Sequence, residues 1–97
     1  MAKGAKKKKN YTPTIDAELD LHGYYAEEAR AAALEFLNEA YTDGLRRVRI
    51  VVGKGNRSTN GAVLPDAIKS LLNREGFDYR YAKLQDGGEG ALEITLR

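Results

Sequence analysis

From Ala17 onward the hydrophobic positions switch between a spacing of two and a spacing of three or four, and each switch marks the boundary of a predicted element. Leu19 and Leu21 fall on one face of a short strand and leave Glu18, Asp20 and His22 on the other, because successive side chains of a strand point to opposite sides. Gly23 ends that strand. In the next segment, YAEEARAAALEFLNEAYTDG, Ala29, Ala33, Phe36, Leu37 and Ala40 recur at helical spacing behind early acids, and Gly44 supplies the stop. Val48, Ile50 and Val52 then share one face of a β-branched strand that ends at Gly53. A second helix is predicted over 62–75, where Val63, Leu64, Ala67, Ile68, Leu71 and Leu72 keep helical spacing, Pro65 suits the first turn and Gly76 closes the segment. FDYRYAKL and ALEITLR alternate on either side of QDGGEG and read as an antiparallel hairpin turning on glycine. The predicted order is βαβαββ.

That order constrains the topology. A strand, a crossover helix and a second strand form a right-handed unit with parallel strands, so the turns DLHG and VGKGNRS lie at one edge of the sheet. Two helices cannot cover both faces of a four-stranded sheet. The expected fold is therefore an α/β two-layer sandwich, with a mixed sheet, both helices on one face and the other face open to solvent. Open α/β sheets bind ligands beyond the carboxyl ends of their strands, which makes the two turns the candidate site, with Asp20 and His22 toward the open face. Pro13, within NYTPTIDAE, favours an extended approach to the first strand, so the domain is expected over 15–97, behind a basic, disordered tail over 1–14.

Composition narrows the class. At 42% hydrophobic and 31% charged, the 97-residue chain makes one small domain. It has no cysteine, which excludes disulfides and thiolate metal sites and suits a reducing compartment; a cytoplasmic monomer is expected. No apolar run approaches the roughly 18 residues of a membrane span, and no hydrophobic region follows the first lysines, so neither membrane insertion nor secretion is expected. The net charge of +2 hides an asymmetry: Met1 to Asn10 carries five lysines and no acid, leaving −3 on the remainder. Such a segment is either a solvated tail or a nucleic-acid arm, and five phosphate contacts would produce a log–log salt slope of roughly −4 to −5.

The candidate chemistry lies in the two turns. In GKGNRS, Gly53 and Gly55 let the backbone approach a phosphate, while Lys54 and Arg57 balance its charge. The spacing is not that of a Walker A loop, which excludes a nucleotide hydrolase of that type. His22 is the only histidine; Asp20, two residues earlier on the same face, can orient its ring, and an imidazole titrating near pH 6.5 can move a proton at neutral pH. The alternative is an imidazole that merely satisfies a strand end by bonding to Asp20 or a loop carbonyl. One histidine and one aspartate are too few for a closed structural metal site. Tyr11, Tyr24, Tyr25, Tyr41, Tyr79 and Tyr81 are candidates for stacking on unpaired bases, although Tyr79 and Tyr81 equally suit a strand face packed under the helices.

Four ordered segments, LDLHG, the helix start EEA, VRIVVGKGNRSTNGAVLP and DGGEGALEITLR, resemble the small MutS-related (Smr) domain family over residues 17–97. The form GKGNRSTNG is most similar to the stand-alone bacterial members. The resemblance implies a sandwich similar to the C-terminal domain of translation initiation factor three, with the last strand antiparallel and inserted between the second and third. It also implies nicking or cutting of DNA or RNA, and binding to structured RNA or ribosomes. Asp20, His22 and Gly53-Lys54-Gly55 match the motifs implicated in the family. Val52 departs from it, standing where the family often has threonine or histidine, so any chemistry of that side chain is missing here.

Cleaving a phosphodiester requires an activated nucleophile, stabilised charge on the phosphorus oxygens and a protonated or metal-held leaving group. The expected division of labour has amides from Gly53 to Gly55 and Lys54 holding the target phosphate, His22 moving a proton, and Arg57 and Ser58 holding adjacent phosphates. RNA can supply its own 2′-hydroxyl without a metal, whereas DNA needs water and makes Mg²⁺ or Mn²⁺ on Asp20 a candidate cofactor. The competing reading is a module that binds DNA, RNA or the ribosome without catalysis; a pure protein adaptor ranks last.

Overall fold

The computed structural model describes residues 5–6, 15–53, 63–82 and 88–96. In chain order these form β1 (Ala5–Lys6), β2 (Ala17–Asp20), α1 (Ala26–Thr42), β3 (Arg47–Val51), α2 (Val63–Glu75), β4 (Asp78–Tyr81), a 3₁₀ turn (Gly88–Gly90) and β5 (Ala91–Thr95). From β2 onward this is the predicted βαβαββ order. The sheet runs β1-β2-β3-β5-β4, with β2 and β3 parallel and the other pairings antiparallel. The last strand therefore lies between β3 and β4, as the family resemblance implied. Of the basic N-terminal segment, only Ala5 and Lys6 are among the described residues; they pair with Leu19 and Glu18 and extend the four-stranded sheet at its edge.

Both helices cover the face that carries the apolar positions. Leu19, Val48, Ile50, Leu92 and Ile94 project from the strands against Ala29, Ala33, Phe36 and Leu37 of α1 and Ile68, Leu71 and Leu72 of α2, all buried in one cluster. Alanine at three α1 positions lets that helix lie close to the sheet. Both helices end in the same way: the amides of Leu45 and Phe77 reach back to the carbonyls of Ala40 and Leu72, across Gly44 and Gly76 at φ near +81°. Among the described residues no helix is long and apolar enough to cross a membrane.

The opposite face carries a row of alternating charge. The register sets Glu18 beside Arg49, Arg49 beside Glu93 and Glu93 beside Arg80. Arg49 bridges Glu18 at 3.2 Å and Glu93 at 3.5 Å, while Arg80 reaches the second Glu93 oxygen at 3.5 Å. Glu93 sits on the central strand β5 and is only 7% exposed; the flanking guanidinium groups offset the cost of burying its charge. Tyr79 and Tyr81 pair with Ile94 and Leu92, which puts them on the helix face and not on the open one. Tyr79 packs against the core, and Tyr81 stays half-exposed at the edge.

Leu37 is completely buried between α1 and the sheet, whereas Asn38 beside it is exposed. Leu37→Ala is expected to destabilise the domain by about 2–5 kcal/mol, through lost transfer energy and a residual cavity. Asn38→Ala should stay within about 0.5 kcal/mol of the parent. Urea unfolding followed by circular dichroism checks this, with the midpoint falling and the slope unchanged for Leu37→Ala.

Candidate functional site

The parallel pairing of β2 and β3 brings their carboxyl ends to one edge. Leu21 donates its amide to the Val51 carbonyl at 2.7 Å, extending the ladder by one residue, and its buried side chain closes the core beneath the turn. The chain then reverses at Gly23, with the Tyr24 amide returning to the Leu21 carbonyl at 3.0 Å, and enters α1. Asp20 and His22 are left facing outward, with side chains 56% and 71% exposed.

The two side chains form one unit. Asp20 Oδ1 accepts from the His22 backbone amide at 3.0 Å and is 2.7 Å from His22 Nδ1. An ionised carboxylate can only accept, so the neutral ring carries its proton on Nδ1, which leaves Nε2 as the basic nitrogen. The hydrogen bond to Asp20, and then the carboxylate's charge, hold the His22 imidazole above its ordinary 6.5. Partial burial pushes the Asp20 carboxyl up, but the bonds from the His22 ring and amide and the imidazole's charge outweigh it and leave the group below its ordinary 3.8.

The glycine loop meets this pair at its first residue. Gly53 has φ +77°, a left-handed conformation that favours glycine, and a Cβ built there would lie 3.6 Å from His22 Cβ. The spacing is ordinary van der Waals contact, so the backbone conformation and not crowding is what calls for glycine. The amides of Val52 and Gly53 both donate to the carbonyl of Gly90, at 2.8 and 3.0 Å. This corrects one expectation: the Gly53 amide is taken up internally and is not among the donors a phosphate would meet. Gly53 contributes a turn and a close approach to His22 instead. Val52 is buried in the core, so its position does not present a side chain to the edge. Lys54, Gly55, Arg57 and Ser58 lie outside the described residues.

Gly90 belongs to the β4–β5 connection, a third segment at the site that the sequence reading treated only as a hairpin turn. The available signal was the position of β5: a strand antiparallel to β3 must begin where β3 ends. Among the described residues, no three histidine, cysteine, aspartate or glutamate side chains stand together as a metal cluster. Any divalent ion at this edge would have to rest on Asp20 and on ligands from elsewhere.

The pair dictates a pH dependence. A lowered Asp20 contributes stability above 3.8 that is lost as pH falls through its folded value, and a raised His22 contributes stability below 6.5 that is lost as pH rises through its folded value. The contribution is therefore fullest between those two values. Because His22 is the only histidine, its ring resonance stands alone in a proton NMR titration. The parent should titrate above 6.5, and Asp20→Asn should bring the midpoint back toward that value; an unshifted midpoint in the variant would count against the pairing.

Comparison with known proteins converges on one family. The Smr domain model matches residues 19–97. The chain is 36% identical over 90 residues to endonuclease MutS2 of Pelotomaculum thermopropionicum, covering 90% of this chain but 10% of that protein. It is 40% identical over 93 residues to an uncharacterized protein of Treponema pallidum, covering 94% of this chain and 46% of that one. The chain thus spans less than half the length of these relatives. In structure it is similar to the Smr domain of Thermus thermophilus MutS2, with a TM-score of 0.72 and 32% identity over 82% of this chain and 96% of that one. The stand-alone small MutS-related protein YdaL of Escherichia coli aligns with the same TM-score and identity, over 82% of this chain and 63% of that one. With nearly the whole folded region matched in sequence and in backbone, the chain belongs to the Smr domain family.

Proposed function

We propose that this Smr domain binds nucleic acid and cleaves its phosphodiester backbone, with His22 as the proton-transfer group and Asp20 as the carboxylate that orients it. The observation that carries this reading is the 2.7 Å Asp20–His22 bond at the strand edge, beside the start of a glycine-rich basic loop. The similarity to proteins named endonuclease MutS2 supports the same class of reaction.

Nε2 faces the substrate as base. With RNA, the 2′-hydroxyl attacks phosphorus as its proton passes to Nε2; the O2′–P bond forms, the P–O5′ bond breaks, and the imidazolium returns the proton to the departing oxygen. With DNA, water takes the place of the 2′-hydroxyl, and a divalent cation supported by the second Asp20 oxygen would supply charge at the phosphate. Lys54 and the loop amides beyond Gly53 hold the target phosphate, while Arg57 and Ser58 hold its neighbours. The five N-terminal lysines add sequence-independent attraction.

A second reading is favoured by one observation. The dyad is largely exposed, and the chain holds no second histidine, which fits a phosphate-contacting module without catalysis, whether on DNA, RNA or the ribosome. The two readings predict opposite responses to pH. A base must be neutral, so cleavage should rise as pH passes upward through the His22 value; a cationic contact is lost over the same interval.

Purified protein incubated with supercoiled plasmid and with structured RNA, in Mg²⁺, Mn²⁺ or EDTA, separates them. His22→Ala should slow cleavage by about 10²–10⁴-fold with binding nearly intact. Lys54→Ala should weaken binding and flatten the salt slope by about one unit. Salt-dependent binding with no cleavage under any condition would transfer the assignment to the binding module.

A further inference from the structure

Among the described residues, the large hydrophobic side chains left exposed are Tyr24, Tyr25, Tyr41 and Tyr81. All but Tyr41 stand at the edge that carries Asp20, His22 and Gly53. Tyr25 is 80% exposed and occupies the N-cap of α1, with φ −74°, ψ 156° and no side-chain cap. That position ordinarily holds serine, threonine, aspartate or asparagine, whose oxygen satisfies an orphan amide of the first turn. A tyrosine there neither caps the helix nor packs into the core, and it lies three residues from His22.

A second ring is mounted at the far side of the same edge. Tyr81 ends β4, and because β4 and β3 both run antiparallel to β5, their carboxyl ends point the same way. The residue is 47% exposed, and its hydroxyl is 2.7 Å from Lys69 Nζ of α2. The same ammonium lies 5.1 Å from the ring centroid and 3.9 Å from Asp66 Oδ1. The lysine steadies the ring and places a positive charge beside it, which is the pairing of groups that a nucleotide offers in reverse: an aromatic face and an anionic phosphate. Three strand spacings, about 14 Å, separate β2 from β4 in the sheet.

We propose that Tyr25 and Tyr81, the latter steadied by Lys69, are stacking subsites for unpaired bases on the helix side of the edge that carries His22. The assignment rests on the nucleic-acid reading above and adds a substrate class to it. Duplex bases hide their faces in the stack, so the domain takes single strands, loops or frayed ends in preference to continuous duplex.

The chain has six tyrosines and no tryptophan, so intrinsic tyrosine emission reports on stacking directly. Binding is measured with short oligothymidylate and oligouridylate, free and annealed to their complements. Tyr25→Leu and Tyr81→Leu should each weaken single-strand binding between about five-fold and about a hundred-fold and reduce the quenching on binding, while thermal melting stays unchanged. Tyr25→Phe keeps the ring and should bind as the parent does, whereas Tyr81→Phe keeps the ring but loses the Lys69 hydrogen bond and should fall between the parent and Tyr81→Leu. Unchanged affinity in both leucine variants while Lys54→Ala still weakens binding overturns the subsites and leaves the nucleic-acid reading standing, as does equal affinity for duplex and single strand. Parent protein that retains no oligonucleotide overturns both.

Discussion

The parallel register between β2 and β3 is the constraint on which the site depends. It pairs Leu19 with Ile50 and Asp20 with Val51. Because side chains alternate along a strand, a slip of one residue would turn Asp20 into the core and Leu19 out to solvent. The burial of Leu19, Leu21, Val48 and Ile50 is therefore what holds Asp20 and His22 outward. Hydrophobic packing on one face defines the geometry of polar chemistry on the other.

Local backbone geometry rather than burial organises the dyad. One carboxylate oxygen accepts both the amide and the ring nitrogen of a residue two positions away, so the imidazole orientation is set by a turn of three residues. Such a pair is oriented without being dehydrated. Under the proposed cleavage, the water exclusion that strengthens electrostatic contacts in a closed active site would come from a substrate laid across the edge. The charges of the open face, from Glu18 to Arg80, are paired with one another, which weakens that face's field toward a polyanion.

Much of this architecture is legible in the amino-acid pattern, because periodicity reports which face of an element is buried. The apolar sets of both helices, the alternation in β2 and β3 and the shared edge of the first two turns all follow from spacing and the handedness of crossover connections. Strand order does not, since alternation records faces and not neighbours; placing β5 between β3 and β4 rested on the family resemblance. Glu93 is a case in point: the alternation of ALEITLR does not show that its strand is central, where Glu93 is buried between arginines. The use of the Gly53 amide was equally hidden, because its acceptor, Gly90, is remote in sequence. The pairing of Ala5 and Lys6 with β2 has no counterpart in the lysine-rich pattern, which carries no strand periodicity.

The Gly90 carbonyl that holds both Val52 and Gly53 also has a kinetic meaning. The edge is assembled from segments near residues 20, 53 and 90, so its contacts are of long range, and loop closure must come before any of them can form. During synthesis, β2, α1 and β3 emerge well before β5, and the Asp20–His22 turn can form locally while the glycine loop still lacks its anchor. The edge is complete only once β5 has docked against β3. A chain that has not completed its sheet can close the three-residue Asp20–His22 turn but lacks the Gly90 carbonyl that holds Val52 and Gly53 beside it.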